Sequence, residues 1–334
     1  MQRFWIIFAG FVVLGAALPL GITSVFWIDF LTLTLFLAVL GQGWNILGGY
    51  GGQFSFGHAI FFGTGAYAQV ILQTKLGFNP WAAIPFSVLA GVLVGAFTGF
   101  LSFRYGLRGS YFALITLAFA EAFRVLATSA EAVTDGGQGI YITLNQDPSA
   151  ALWVLQFKSG AAYYYAALIL TALSLLIAHW IEHSRFGAQL TAIREDEDAA
   201  EAIGVNAFRV KLGAICLSGA LTALGGVFYA QKFLFMDPGI AYGPTKSVEM
   251  LVIPIIGGMG TVFGPLVGSI FVHGLGEVSK LVAHGVVGDR PGLDLIVYGV
   301  VLVLILAFLP KGLIGLMRGE WRGLTMPRRR PADA

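Results

Sequence analysis

The feature that most limits what this chain can fold into is a set of long apolar blocks almost free of charge. Phe4 to Ile22, Phe30 to Leu47, Trp81 to Phe103, Ala161 to Ile181 and Leu293 to Leu309 carry at most one charged residue each. About 20 apolar residues in a helix are needed to cross ~30 Å of hydrocarbon. Inside hydrocarbon the backbone must satisfy its own hydrogen bonds, which leaves helices or a closed barrel. The blocks lack the alternation of a barrel strand, and 45 glycines in 334 residues suit helices that pack closely on small residues. A mean hydropathy of +0.80 lies far outside the range of a soluble domain. The expected fold class is therefore all-α: a polytopic membrane protein of about ten transmembrane helices, some of them broken at glycines. The single cysteine, Cys216, excludes an intramolecular disulfide and a cysteine-based zinc site. Met1 to Ile22, with one early basic residue and no clear small-residue cleavage site, reads as a retained first span; a signal peptide is the alternative.

Arginine and lysine mark cytoplasmic loops. The tail carries Lys311, Arg318, Arg322 and Arg328 to Arg330, and the 182–211 loop carries Arg185, Arg194, Arg209 and Lys211. Both are expected inside, with the short turn holding Arg104 and Arg108. The 131–160 loop has only Lys158 against Glu131, Asp135 and Asp147 and is expected outside. Parity then makes 247–284 cross twice, or dip and return, and puts both termini in the cytoplasm.

Two glycine-rich interruptions share a wording. GGYGGQFSFG runs from Gly48 to Gly57 and GGMGTVFG from Gly257 to Gly264; each has a glycine pair, another glycine, then Phe-Gly. Unwound backbone in a membrane is tolerated where protein or a water-filled cavity satisfies it, and paired breaks in two halves point to a substrate route. Chance similarity of two glycine-rich hairpins is the plain alternative. Asn45, Gln53, Ser55 and His58 cluster at the first break. They offer hydrogen-bond donors and acceptors to a polar solute, and Phe54, Phe56 and Phe61 offer an apolar wall. Hydrogen bonds that merely hold the break in shape are the other reading. Gly49, Gly257, Gly258 and Gly260 complete the candidate route. Glu121 and Arg124, at i and i+3 in the fifth span, make either a structural ion pair or a translocation element.

The stretch AIREDEDAAEAIG, Ala192 to Gly204, concentrates acid in an otherwise apolar chain. Glu195, Asp196, Glu197 and Asp198 favour the N-terminus of a short helix. Ala199, Ala200 and Ala202 give it a smooth face, and Gly204 is placed to end it in the left-handed conformation. An alanine face permits close docking, and acids recruit Arg or Lys on a partner; a solvated loop with a helical turn is the alternative.

DAAEAIG, Asp198 to Gly204, resembles the EAA-x-x-x-G loop of ABC importer permeases, with Asp198 in place of Glu and no later proline. RFGAQLTAIREDEDAAEAIGVN, GGYGGQFSFGHAIFFGTGAY, LRGSYFALITLAFAEAFR, TDGGQGI and IIGGMGTVFGPLVGS extend the likeness over most of the chain. Together they resemble the second permease subunit of the branched-chain amino acid ABC importer. Gly51 replaces the usual alanine of the first break, Phe54 and Phe56 replace leucines, and Asp135 precedes the glycine pair of TDGGQGI. The resemblance implies a transmembrane permease domain over 1–315 with a cytoplasmic coupling loop at 182–211, then a basic tail over 316–334. It implies that Arg194, Glu195, Asp196, Glu197, Asp198, Ala199, Ala200, Glu201 and Gly204 form the coupling helix that docks on an ATPase. The implied partners are a homologous permease subunit, two cytoplasmic ATP-binding subunits and an extracytoplasmic substrate-binding protein, in a bacterial plasma (inner) membrane.

No G-x-x-x-x-G-K-[ST] is present, so this chain has no P-loop, and the resemblance implies that ATP and Mg are bound by separate partner subunits. No H-E-x-x-H and no acid, base and nucleophile set is legible, so neither a metal site nor an enzyme is expected. His273 and Glu277, four apart, read as a packed polar pair near Lys280, with a metal pair as the alternative. The MPRRRP tail reads as an anchor at anionic lipid, not a nucleic-acid site. A permease for urea or short amides, and a stand-alone channel or secondary carrier, are the competing functions.

Overall fold

The structure is a computed structural model that describes residues 2–22, 24–145, 151–287, 299–300, 303 and 312–317. Its helices are α1 (Gln2–Gly21), α2 (Val25–Trp44), α3 (Ala59–Thr74), α4 (Pro80–Arg104), α5 (Gly109–Ser129), α6 (Glu131–Thr134) and α7 (Gly160–His183), then α8 (Arg185–Glu195), α9 (Glu197–Ala202), α10 (Ala207–Phe233), α11 (Pro238–Tyr242), α12 (Pro244–Gly257), α13 (Gly264–Val287) and α14 (Gly312–Met317). A π-helical turn, Asn45–Tyr50, prolongs α2. Among the described residues, six helices are long and apolar enough to cross a membrane: α1, α2 with its π turn, α4, α5, α7 and α10. The expected third, eighth and ninth spans are also helical, as α3, α12 and α13. Of these, α3 has 16 residues and α12 has 14, short for a full crossing, because each borders a glycine-rich break. The expected last span, 293–309, lies almost wholly outside the described residues, as do Lys311, Asp147 and the tail from Arg318.

α10 is the centre of the bundle, packed on α2, α3 and α4. Small residues let it get there. Gly91, Gly95 and Gly99 form a stripe at four-residue spacing on α4. A Cβ at Gly91 would lie 2.4 Å from Ala223 Cβ, and one at Gly99 would lie 2.5 Å from Ile215 Cγ2. On the α3 side, a Cβ at Gly226 would lie 2.1 Å from Phe62 O. These approaches give dispersion contact between helices where lipid supplies no hydrophobic drive.

α1 stands apart, leaning mainly on α7. Pro19 has no N–H, so the carbonyl four residues earlier, Gly15, loses its helical donor. Tyr164 of α7 donates its hydroxyl to Gly15 O at 2.8 Å, and Tyr165 donates to Ala16 O at 3.1 Å. At the end of the bundle where α10 finishes, β1 (Ile140–Tyr141) pairs antiparallel with β2 (Phe235–Met236), Ile140 opposite Met236. Asp135 meets Lys75 at 2.7 Å and Asp29 meets Lys232 at 2.5 Å at this end. The acid-rich helix α9 lies at the other end, about 40 Å away along the 27 residues of α10.

Candidate functional site at the meeting of two glycine-rich breaks

The first break begins where α2 widens into its π turn. The buried Trp44 indole donates to Ser55 O at 2.8 Å, folding the extended stretch back against the helix. Gln53, Ser55 and Gly57 point inward while Phe54 and Phe56 are exposed, the period of two expected of extended chain. Neighbouring elements fix this stretch from outside. Thr116 of α5 accepts from Phe56 N at 3.2 Å. Ser247 of α12 accepts from Ala59 N at 2.9 Å. Ser218 of α10 gives its hydroxyl proton to Gly43 O at 2.6 Å, so His58 Nε2, 2.8 Å from the same oxygen, is the donor of that pair. A Cβ on Gly57 would stand 1.8 Å from Thr116 O, so no larger residue fits there.

The second break joins α12 to α13. Gly258 and Gly260 take φ of 131° and 68°, which only glycine adopts without strain. A Cβ on Gly257 would meet Gly264 O at 1.8 Å, and one on Gly268 would meet Ile253 O at 2.0 Å. Backbone lies on backbone here. The two breaks touch: Asn45 Oδ1 accepts from Gly260 N at 2.8 Å, and Asn45 Nδ2 donates to Thr261 O at 3.1 Å. Asn45, Gly49, Gln53, Ser55, His58, Gly257, Gly258 and Gly260 therefore form one joint. Asn45 and His58 spend the hydrogen bonds described here on protein partners. Phe61 is buried, so Phe54 and Phe56 are the exposed aromatics of the first break. Glu121 lies elsewhere on α5, held bidentately by Arg124 at 2.5 and 2.9 Å on an exposed face.

A helical elbow, α8 and α9, sits on this joint. Ser184 caps α8 by accepting from Gly187 N at 3.1 Å, and Asp196 caps α9 by accepting from Ala199 N at 3.0 Å. Gly204 closes the elbow at φ 91°, the left-handed ending its position predicts. Arg194 Nη1 donates to Gly49 O at 3.0 Å, while its stem and Leu190 cover Gly52 and Gly51. The π turn would otherwise leave this carbonyl short of a donor.

The acids of the elbow are largely engaged within the chain, a finding that the sequence reading, which aims them at a partner, does not contain. Glu195 pairs with Arg194 at 2.9 Å. Glu197 reaches the buried ammonium of Lys211 at 2.5 Å and Arg108 at 3.3 Å, and Asp198 reaches Arg108 at 2.9 Å. Lys211 also lies 5.0 Å from the Phe103 ring centroid. The hydrogen bond that Arg108 donates to Asp198, then the charge of Glu197, raises the pKa of the Arg108 guanidinium. Ala200 is buried. Glu201, Ala199, Ala202 and Ile203 face outward, Ile203 with 79% of its surface exposed. Lys211 and Arg108 appear in the sequence only as loop cations. The signal for Lys211 is that it is the last charge before the long apolar run of α10, where a buried charge needs a partner. Thr116 and Ser218 are legible only as small polar residues in apolar runs, and Ser247 only as a serine between Lys246 and Glu249. His273 meets Thr34 at 2.7 Å and Glu277 meets Lys280 at 2.6 Å, so each has a partner of its own.

Apolar helices long enough to span, a core of broken segments and a docked elbow with an outward face together define a multi-pass membrane permease. The chain belongs to the family described as branched-chain amino acid transport system / permease component, which matches residues 26–306. It is 28% identical over 316 residues to the high-affinity branched-chain amino acid transport system permease protein LivM of Salmonella typhimurium, covering 88% of this chain and 71% of that one. LivM of Escherichia coli matches to the same extent. LivH of Salmonella typhimurium, of the same transport system, is 21% identical, with 83% of this chain and 91% of that one covered. A solved chain in an inward-facing conformation, assigned to the metal-chelate type of ABC transporter, is similar at TM-score 0.48 and 18% identity over 96% of this chain.

Proposed function

We propose that this chain is the membrane-spanning permease subunit of an ATP-driven ABC importer that moves branched-chain or other hydrophobic amino acids across a bacterial inner membrane. The observation that carries the reading is Arg194: the elbow with the exposed alanine face is bonded to Gly49 of the first break at 3.0 Å. A push on α9 reaches the joint of the two breaks through one side chain. In this reading separate ATPase subunits dock on Ala199, Ala202, Ile203 and Glu201, while Glu197 and Asp198 hold the elbow to α10 and to the α4–α5 turn. ATP and Mg stay on those subunits. About ten spans put both termini, the elbow and the joint on the cytoplasmic side. Phe54 and Phe56 line the route for an apolar side chain, the polar residues of the joint shape its wall, and Glu121 on α5 flanks it. A homologous permease completes the route, an external binding protein delivers the amino acid, and lipid surrounds the spans.

The test is purification of this chain from native membranes in mild detergent, with mass spectrometry and an ATPase assay. A stoichiometric P-loop subunit is expected, lost in Ala199→Glu while that variant still reaches the membrane. Recovery of the chain alone, moving solute in liposomes without ATP, would establish a carrier or channel instead. Competition for uptake by leucine against urea and acetamide separates the amino acid from the short-amide reading.

A further inference from the structure

The last turn of α7 reads His179-Trp180-Ile181-Glu182-His183. Positions i, i+3 and i+4 share one face of a helix. One ligand atom from each of His179, Glu182 and His183 falls within 4.8 Å of the others. Atoms bound tetrahedrally to one zinc ion, at ~2.0–2.1 Å from it, stand about 3.3 Å apart. Closure therefore needs only small shifts, which the exposed Glu182 and His183 side chains can make.

Other observations point to a ligand. His183 Nδ1 lies 3.0 Å from His179 O, which makes Nδ1 the protonated nitrogen and leaves Nε2 with a free lone pair. His179 is nine-tenths buried, and its Nδ1 is buried with no hydrogen-bond partner among the described residues. Its ring is held flat against Phe4, centroids 3.6 Å apart and planes 3° from parallel. All three residues line a cavity of about 790 Å³ whose other walls include Phe11 of α1, Phe263 of the second break and Ile314 of α14. Open coordination positions would thus face a space able to hold water or a small ligand. The end of α7 carries the negative pole of the helix dipole, which favours a cation. Arg3 lines the same cavity and opposes it.

We propose that His179, Glu182 and His183 form a three-ligand site for a divalent transition-metal ion of zinc's class. Two neutral imidazoles and one carboxylate suit zinc or its neighbours over Mg²⁺ or Ca²⁺, which prefer oxygen. The ion would sit in the cavity that backs the second break, next to the start of α8, so its occupancy would bear on the joint.

The experiment is calorimetric titration of Zn²⁺ into the full chain purified with a non-histidine tag, with Co²⁺ absorption as a second probe. One saturable equivalent is expected. His183→Ala should weaken it at least about tenfold and remove the visible Co²⁺ band, as is typical when a ligand or its support is lost. Glu182→Gln should weaken it less, and His273→Gln should leave it unchanged. Zn²⁺ should raise the melting temperature of the wild type but not that of His183→Ala. Absence of a saturable site, or equal affinity in the wild type, His183→Ala and Glu182→Gln, would overturn the proposal.

Discussion

The two breaks look alike in sequence and are built differently. The second is closed by its own backbone: Gly257, Gly264 and Gly268 press on carbonyls at distances no Cβ could share. The first is a π turn and an extended stretch that Trp44 folds back through Ser55 O. It is fixed by Thr116, Ser218, Ser247 and Arg194, reaching in from α5, α10, α12 and α8. The difference teaches that a glycine-rich interruption can serve two ends. One is a rigid corner, the other a segment whose shape depends on its neighbours.

The sharpest way to break this comparison is alanine at Gly257. Overpacking of this kind costs about 1–3 kcal/mol and sometimes more. With backbone 1.8 Å from the added carbon we expect a cost above that range and loss of the monodisperse peak in detergent chromatography. Survival of Gly257→Ala with an unchanged peak would show that the second break is as pliable as the first.

Next in size is Glu197→Gln, which strips the buried Lys211 of its counter-charge. Removing one partner of a buried pair costs roughly 3–5 kcal/mol, less where water reaches the pair, as it does in part at Glu197. The melting temperature should fall, and Glu197→Gln with Lys211→Met should recover most of the loss. Asn45→Ala should cost about 1–3 kcal/mol, because Gly260 N and Thr261 O are left without the partner that joins the breaks. Hydrogen exchange should rise at both breaks together; a rise at one only would mean that they are not coupled. Arg194→Ala should be the mildest for stability, within about 1 kcal/mol for an exposed side chain, yet should lower substrate-stimulated ATPase activity in the assembled transporter. Normal activity there would remove Arg194 from the coupling route.

Much of this architecture is legible in the residues. The uncharged blocks place the spans because hydrocarbon tolerates little else, and Gly91, Gly95 and Gly99 mark a close helix contact. Asp196 and Gly204 mark the ends of α9, since each is a local signal read within a turn. The joint is not local. Asn45 bonds residues 215 and 216 positions further on, and nothing near Asn45 in sequence announces it. The partners of the acids are hidden for a related reason: Arg108 and Lys211 come from the α4–α5 turn and from α10, and only the tertiary fold shows that charges on three elements cancel. The HWIEH turn is short-range, but its meaning depends on Phe4 and Phe263 enclosing it.

The bond between Asn45 and Gly260 also sets a clock. Ribosomes add ~5–20 residues each second, so the 215 residues between these partners take about 10–40 s to make. Throughout that interval the first break is already synthesised, and its buried amide has no Gly260 N–H to accept from. The oldest part of the transmembrane core is thus completed by one of the youngest. Any pause in translation between them lengthens the time during which the protein is inserted but unfinished.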